Sequence, residues 1–414
     1  MLTLPDVIAA LLTVTAAFAW INHRFVRLPG TIGLLVMALL ASLVLVGLEV
    51  AFPNVALFHE LTETVRRIDF SQALLGGMLS FLLFAGALHV DFSRLRQRSV
   101  VVGSMATIGV IISTAIIGVA VWWISGLVGA PLPFLWALVF GALISPTDPV
   151  AVLSTLKDVK MPESLETDMT GESLFNDGVG VVLFTILLAA ATGGQEGISA
   201  PHIAHLFFVE ALGGTALGLV AGYVAYQAMR RIDEYGIEVL ITLALVTGSY
   251  GLASALHVSG PIAVVAAGLL IGNRGKSRAM SETTRRYLYA FWTLLDEILN
   301  SVLFLLVGLE VLVLSFALGN VWLAVAVIPI ALAARLAAVA FPVLALRWFT
   351  TFVRGTIPVL TWGGVRGGIS IALALSIPDV PERSAILTAT YAVAVFTIVV
   401  QGLTLSRVAK RVAT

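Results

Sequence analysis

Long apolar stretches separated by short polar loops run along the whole chain. A helix needs about 20 mainly apolar residues to cross the hydrocarbon core of a membrane, and such stretches recur from the first residues to the last. They predict an all-α polytopic membrane protein with about thirteen transmembrane helices and a polar surface segment at 51–69. The predicted spans are 4–22, 30–50, 70–90, 99–128, 133–156, 165–192, 203–229, 237–256, 259–273, 286–316, 320–345, 355–377 and 384–406.

The basic residues of the loops predict the orientation of the chain. Nineteen Lys and Arg residues fall in the odd-numbered loops and the C-terminal tail, whereas only Arg66, Arg67 and Arg383 fall in the even-numbered loops. Lys and Arg concentrate on the cytoplasmic side of membrane proteins. We therefore expect a multi-pass protein of the bacterial inner (cytoplasmic) membrane with the N-terminus outside and the C-terminus cytoplasmic.

The composition agrees with this and excludes several functional classes. Of the 414 residues, 59% are hydrophobic and 12% are charged, about half the charged fraction of a soluble domain. The formal net charge is zero and there is no cysteine, so neither a nucleic-acid partner nor a disulfide or thiolate metal site is expected. The lipid bilayer is the obvious partner, and we expect no cofactor and no enzymatic activity.

Six ionisable residues stand near the centres of predicted spans. Each costs at least ~2.5 kcal/mol in the membrane on insertion scales, so such groups are rare unless they are used or paired. Function is the default interpretation, and a purely structural ion-pair network is the alternative. The six residues are Asp148, Glu172, Asp177, Glu297, Arg335 and Arg366.

Spans 5 and 12 contain matching interruptions of the helix. In ISPTDP, Pro146 and Pro149 each remove a backbone donor, and in TWGGVRGG four glycines surround Arg366 and weaken the helix. A glycine-rich packing face is the alternative for span 12. Non-helical backbone at this depth must line a cavity or be satisfied otherwise. We expect Asp148 and Arg366 to compensate the helix dipoles at these breaks.

The two interrupted spans are seven apart and therefore cross the membrane in opposite directions. This predicts two inverted-topology repeats with crossed broken helices, an arrangement typical of the binding site of a transporter. The predicted division of the single transmembrane transporter unit 1–414 is 1–192 for the first repeat (spans 1–6), 203–229 for the connecting span 7, and 237–414 for the second repeat (spans 8–13).

Span 6 carries the candidate transport group in GESLFNDGVG. At about 100° per residue, Glu172, Ser173, Asn176 and Asp177 share one face of the helix. Their oxygens are hard ligands suited to a small alkali cation. Because burial disfavours the ionised form of a carboxylate, a proton and a cation can compete for Asp177.

Glu172 needs a cationic partner to remain charged in the membrane. We expect Arg366 to be that partner; pairing with Arg335 and protonation are the alternatives. In span 10, Glu297 and Asn300 lie one turn apart and are expected to face the bundle. Either could serve Arg335 or Arg366.

Four motifs in order carry a family resemblance: ISPTDP, ESLFNDG, a basic loop followed by FWTLLDEILNSVLFLLVG, and WGGVRGG. Together, over nearly the whole chain, they resemble bacterial sodium/proton exchangers of the monovalent cation:proton antiporter family. The resemblance implies a thirteen-helix inverted-repeat fold with a core domain and a dimerisation domain, and a homodimer that exchanges sodium for protons in sodium transport and pH homeostasis.

The resemblance also implies roles for single residues. Asp177 would carry the ion and the proton, Thr147 and Ser173 would help to bind Na⁺, and Glu172 would pair with Arg366. The Asn176–Asp177 pair is similar to the signature of electroneutral relatives, which implies exchange of one Na⁺ for one H⁺.

One position departs from the pattern of the family. Many relatives carry a glutamate in a stretch like LLFEAAL, where this chain reads LLFAGAL with Ala85. The missing carboxylate leaves the preference among Na⁺, Li⁺ and K⁺ open. A K⁺/H⁺ antiporter of the same fold is the nearest alternative, a cation channel is a second, and an intramembrane hydrolase using Asp148 and Asp177 is a third.

Overall fold

The computed structural model describes residues 4–52, 74–148, 152, 156, 161–193, 200–275, 279–313 and 317–413. Every regular element within these ranges is helical, which confirms the all-α prediction. Eight of the described helices are long and apolar enough to cross a membrane, and three further apolar helices are shorter. Thirteen crossings and two inverted repeats stay predictions. Most of the predicted surface segment 51–69 lies outside the described residues, as do Pro149, Lys157 and Lys160.

Fifteen described helices, α1 to α15, follow the predicted spans closely. In chain order they are Leu4–Ile21, Gly30–Ala51, Leu74–His89, Phe92–Gln97, Ser99–Leu127, Phe134–Ile144, Glu163–Thr192, Ala200–Met229, Tyr235–Ala255, Gly260–Gly275, Glu282–Leu309, Leu318–Leu346, Thr356–Trp362, Gly368–Leu375 and Arg383–Arg411. Predicted spans 5 and 12 are the two that depart from a continuous helix. In span 5, α6 ends at Ile144 and the described residues Val152 and Leu156 are again helical, and span 12 is divided into α13 and α14.

The helices pack in two groups. In the first, α6 lies between α5 and α7, and α12 packs on α5 and α15. In the second, α10 packs against α3, α8 and α9, while α11 packs against α2 and α3. Helix α7 joins the groups because it also contacts α8 and α10. The residues that carry the candidate site therefore stand on a helix at the boundary between the two groups.

The contact between α8 and α10 depends on small residues. Three glycines of α8 lie four residues apart, and a Cβ on any of them would meet the α10 segment. Small residues at this spacing let helices approach closely in membranes, where van der Waals packing drives association. The glycines are Gly214, Gly218 and Gly222, and the facing residues are Ser259, Ala263 and Ala267.

Substitution of Gly218 by alanine tests this close contact. The new methyl group would collide with the carbonyl oxygen of Ala263, and overpacking of this kind costs about 1–3 kcal/mol. We expect Gly218→Ala to lower the thermal unfolding temperature of the protein in detergent. Gly248→Ala on α9 is the matched control, because no atom lies within 4 Å of a Cβ there. Equal unfolding temperatures for the two variants would contradict the proposed packing.

Candidate ion-binding site

The two interrupted helices meet at one point. Helix α6 ends at Ile144 and α13 ends at Trp362, and the non-helical segments 145–148 and 363–367 follow. The backbone N–H of Asp148 donates to the carbonyl oxygen of Val365 at 2.8 Å. The structure therefore brings the interruptions predicted in spans 5 and 12 into direct contact.

Arg366 lies at the carboxyl end of α6. Its Nη1 donates to the carbonyl oxygens of Ser145 (2.8 Å) and Pro146 (3.1 Å), which the break in α6 leaves without partners in a helix. The guanidinium is fully buried. A cation at the carboxyl end of a helix also opposes the negative end of the helix dipole. Arg366 thus satisfies the freed carbonyl groups of one broken helix.

Arg335 does the same for the other broken helix, and it also holds Glu172. Its Nε and Nη2 donate to the carbonyl oxygen of Leu360, in the last turn of α13, at 3.2 and 3.0 Å. Its Nη1 and Nη2 bind the two carboxylate oxygens of Glu172 in a bidentate pair, the second at 2.9 Å. Both side chains are buried. The expected pairing of Glu172 with Arg366 is therefore wrong, and the alternative with Arg335 is the one observed.

The side chain of Asp148 lies beside the start of α14. A Cβ on Gly367, the residue that precedes α14, would collide with the Asp148 carboxyl group. Only a residue without a side chain fits there. An anion near the amino end of a helix opposes the positive end of its dipole. Arg366, Arg335 and Asp148 thus each lie beside a helix end that the sign of their charge stabilises.

Helix α7 holds the unwound segment at Thr147. Asn176 Nδ2 donates to Thr147 Oγ1 at 2.9 Å, and the Thr147 N–H donates to Asn176 Oδ1 at 3.3 Å. The hydroxyl of Ser173 donates to the Thr147 carbonyl oxygen. All three side chains are buried. The amide of Asn176 is therefore engaged with the backbone break, whereas Ser173 links that break to the cavity described next.

A cavity of about 240 Å³, the site cavity, lies beside the crossing. Asp177 and Ser173 of α7 line it together with Asp148, and Asp296 and Asn300 of α11 line the opposite wall. The predicted face of α7 is consequently divided. Ser173 and Asp177 are directed to the cavity, while Glu172 binds Arg335 and Asn176 binds Thr147.

Among the described residues, Asp177 is the buried carboxylate of the site cavity for which no protein partner is observed. It is 7% exposed, and no donor in the described part of the chain lies within hydrogen-bond distance of its oxygens. Glu172, five residues earlier on α7, is neutralised by Arg335. An ionised carboxylate that is buried without compensation is unfavourable. Asp177 therefore needs a ligand from the cavity, either a proton or a cation.

A larger cavity of about 990 Å³, the outer cavity, shares Asp296 and Asn300 with the site cavity. Its other walls include Arg24 and Arg27, which follow α1. Glu297 is exposed in the outer cavity, and Asn300 Nδ2 donates to the carbonyl oxygen of Asp296. The sequence left open whether either residue serves Arg335 or Arg366; the observed partners of these arginines are Glu172 and backbone carbonyl oxygens instead.

Asp296 is the residue that sequence reasoning did not select. It stands next to Glu297 in the motif LDEILN, and adjacent residues of a helix point about 100° apart. When both sides of a helix face cavities, the pattern of apolar residues does not determine which polar side chain points into which cavity. Ala85, where many relatives carry a glutamate, also lines the site cavity. The space that a glutamate side chain would fill at position 85 is therefore part of the site cavity.

Comparison with known proteins identifies the family. The chain matches the family model described as "Sodium/hydrogen exchanger, transmembrane" over residues 12–411. The chain belongs to the sodium/hydrogen exchanger family. It is 48% identical over 413 residues to the Na⁺/H⁺ antiporter NhaP of Pseudomonas aeruginosa, a match that covers 98% of this chain and 96% of that protein. It is also 36% identical over 376 residues to the Na⁺/H⁺ antiporter NhaH of Halobacillus dabanensis, covering 89% and 91% of the two chains.

A solved structure supports the same fold for this exchanger-family protein. The sodium proton antiporter MjNhaP1 of Methanocaldococcus jannaschii superposes with a TM-score of 0.76 over 98% of this chain and 97% of that chain. The sequence identity is 18%, so the likeness concerns the fold alone. Together, the family and the described helices identify a multi-span membrane protein, and the similar proteins are transporters rather than enzymes.

Removal of Arg335 tests the buried pair of this exchanger-family protein. Arg335→Ala would leave the Glu172 carboxylate buried and unpaired, a change that costs about 3–5 kcal/mol in folded proteins. We expect a large fall in the thermal unfolding temperature. In the double variant Glu172→Gln/Arg335→Ala we expect a smaller fall than the sum of those of Glu172→Gln and Arg335→Ala alone. Arg285→Ala, which breaks an exposed pair with Glu282, should have little effect. Additive single effects would contradict the pairing.

Proposed function

We propose that this protein exchanges Na⁺ for H⁺ across the cytoplasmic membrane by alternating access, with both ions competing for Asp177. The observation that carries the proposal is the buried carboxylate of Asp177 in the site cavity, which has no partner among the residues that the structure describes. The neighbouring intramembrane charges are already engaged: Glu172 by Arg335, and Arg366 by backbone carbonyl groups. The negative charge of Asp177 must therefore be compensated by a proton or a cation in the site cavity.

The ligands near Asp177 suit an alkali cation. Ser173 lines the site cavity together with Asp177, and its hydroxyl bonds to the Thr147 carbonyl oxygen, so hydroxyl and carboxylate oxygens are both present at the cavity. Hard cations prefer such oxygen ligands, and waters commonly complete the coordination shell. A cavity of about 240 Å³ has room for an ion with several waters, since one water takes about 30 Å³.

The cation in this proposal is Na⁺ because the similar proteins are named Na⁺/H⁺ antiporters. Ala85 at the wall of the site cavity removes one possible ligand, and Li⁺ or K⁺ therefore remain substrates to be tested beside Na⁺. A water molecule in the space beside Ala85 would replace a charged ligand with a neutral one. This would weaken binding without changing the mechanism.

The cavities support access from the cytoplasm in the state described. The outer cavity reaches Asp296 and Asn300 from Arg24 and Arg27, which belong to a loop that the charge bias assigns to the cytoplasmic side. The N-terminus would then be outside and the C-terminus cytoplasmic. Alternating access requires a second state in which this path is closed and one to the opposite side is open.

The proposed architecture has two inverted repeats, 1–192 and 237–414, with 203–229 as the connector. The contact between Asp148 and Val365 supports it, because inverted repeats place their broken helices across one another. The helix group around α6 would be the core domain and the group around α10 and α11 the dimerisation domain of a homodimer. Their boundary at α7 is where a movement would change access to Asp177.

Exchange is proposed to be electroneutral, one Na⁺ for one H⁺. Asn176 stands where electrogenic relatives carry a second aspartate, and its amide both donates to and accepts from Thr147. An amide has no proton to exchange in this pH range. One titrating carboxylate at Asp177 then carries one proton in one direction and one monovalent cation in the other.

Replacement of Asp177 by asparagine is the direct test of the proposed function. Asp177→Asn removes the charge that binds both ions, and we expect it to abolish Na⁺/H⁺ exchange while the protein still folds. The measurement is the collapse of a preset proton gradient on Na⁺ addition to everted vesicles, with thermal unfolding as the check on folding. Glu163→Gln is the matched control, because Glu163 is an exposed acid on the same helix.

Three outcomes would count against this function. Exchange retained in Asp177→Asn would remove Asp177 from the mechanism. Failure of the unmodified protein with Na⁺, Li⁺ and K⁺ alike would reject antiport. Na⁺ flux that continues without proton counter-flux would favour a channel over an exchanger.

Electroneutrality predicts that the membrane potential has little effect on turnover. A net charge moved per cycle would couple to the potential with about 2.3 kcal/mol per 100 mV, whereas a one-for-one exchange moves none. We expect equal Na⁺ uptake rates in proteoliposomes clamped at zero and at −100 mV under one proton gradient. A rate that changes strongly with voltage would overturn the stoichiometry.

A further inference from the structure

His89, the last residue of α3, lies between two cavities. It lines the site cavity together with Asp177, and it also lines a polar cavity of about 290 Å³ whose walls include Asp91, Arg285 and Tyr289. Its side chain is exposed to these spaces, so protons from water can reach it. A charge on His89 would therefore act directly on the space from which Asp177 takes its ions.

The hydrogen bonds of His89 suit both of its protonation states. Its Nδ1 lies 2.7 Å from the carbonyl oxygen of Ala85, which only accepts, so Nδ1 carries a proton in either state. Its Nε2 lies 3.1 Å from Oγ1 of Thr293. That hydroxyl lies 2.8 Å from the carbonyl oxygen of Tyr289.

Rotation of one hydroxyl group is enough to switch between the two states. When His89 is neutral, the Thr293 O–H donates to Nε2. When His89 is charged, Nε2–H donates to Thr293 Oγ1, and the Thr293 O–H donates to the Tyr289 carbonyl oxygen. No heavy atom has to move, so the fold imposes neither state.

The charged groups around His89 belong to the walls of the two cavities that it lines. Carboxylates dominate on the site-cavity side, whereas an arginine, a tyrosine and one carboxylate stand on the other side. The adjoining segment Gly260–Leu270 of α10 contains no titratable residue, and the next turn of α10 carries Arg274. Tyr250 of α9 bonds to Leu75 at the far end of α3. The carboxylates of the site cavity are Asp148, Asp177 and Asp296; the groups of the polar cavity are Asp91, Arg285 and Tyr289.

We propose that His89 is a second proton-binding site, separate from Asp177, whose charge lowers the occupancy of the site cavity by cations. The imidazolium stands at the wall of a small cavity and repels a second positive charge in it, and this repulsion is stronger beside protein than in bulk water. Acidification then acts twice: by protons that compete for Asp177 and by a charge on His89. The second effect rests on the proposed function, because it concerns cation entry to Asp177.

The pH profile of transport separates this role from a structural one. The variants are His89→Gln, which stays neutral and can still bond to Ala85 and Thr293, and His89→Lys, which stays charged. We expect His89→Gln to weaken the rise of the apparent KM for Na⁺ on the acidic side in proteoliposomes. His89→Lys should raise that KM several-fold at alkaline pH, towards the acidic value of the unmodified protein. His205→Gln on α8 is the matched control and should change neither.

A second measurement does not depend on transport. Histidine ring resonances of the full chain in nanodiscs are followed by NMR between pH 5 and 8, with His89→Gln to assign the signal. We expect one Na⁺-sensitive titration from His89, and a loss of the Na⁺ effect in Asp177→Asn. A His89 signal that does not titrate in this range would overturn the proposal, and so would KM profiles that are unchanged in both His89 variants. Failed transport with a titrating His89 would count against the function of Asp177 alone.

Discussion

Freed backbone groups inside the membrane are the constraint on which this structure depends. Breaks at 145–148 and 363–367 expose carbonyl groups where water is scarce, and each unsatisfied group is costly there. The chain meets this constraint with one arginine per break: Arg366 at the end of α6 and Arg335 at the end of α13. The two intramembrane arginines are thus required by the backbone before any ion is considered.

The position of these arginines determines which carboxylate remains available. Arg335 also binds Glu172, and Nη1 of Arg366 donates to two carbonyl oxygens. Asp177 stands five residues beyond Glu172 on α7, and no donor in the described part of the chain binds it. A pair of arginines committed to the backbone therefore leaves one carboxylate that an exchangeable ion must neutralise. The same two arginines therefore stabilise the broken helices and determine which carboxylate is left for an ion.

Much of this arrangement could be predicted from the sequence, because each feature depends on residues that are close together in the chain. Apolar length predicted the helices, Pro146 and the glycines around Arg366 predicted the breaks, and the helical period predicted the polar face of α7. The partner of Glu172 could not be predicted in this way, because it lies far away in the sequence. Both arginines were compatible with Glu172, and only the packing of α12 beside α13 brings Arg335 to it. Asp296 was missed because the rotation of α11 between two cavities depends on its neighbours in space.

In the proposed exchange, coupling between the two ions would follow from the same lack of a partner for Asp177 in the described part of the chain. If the site cavity closes while Asp177 is ionised and empty, a charge is sealed away from water without compensation, which is strongly unfavourable. Closure with either a proton or a cation on the carboxylate avoids that cost. The empty, charged state is then the one that cannot cross between the two sides, and the ions must be exchanged rather than leak. A donor placed beside Asp177, such as a third arginine, would stabilise the empty state and uncouple the exchange.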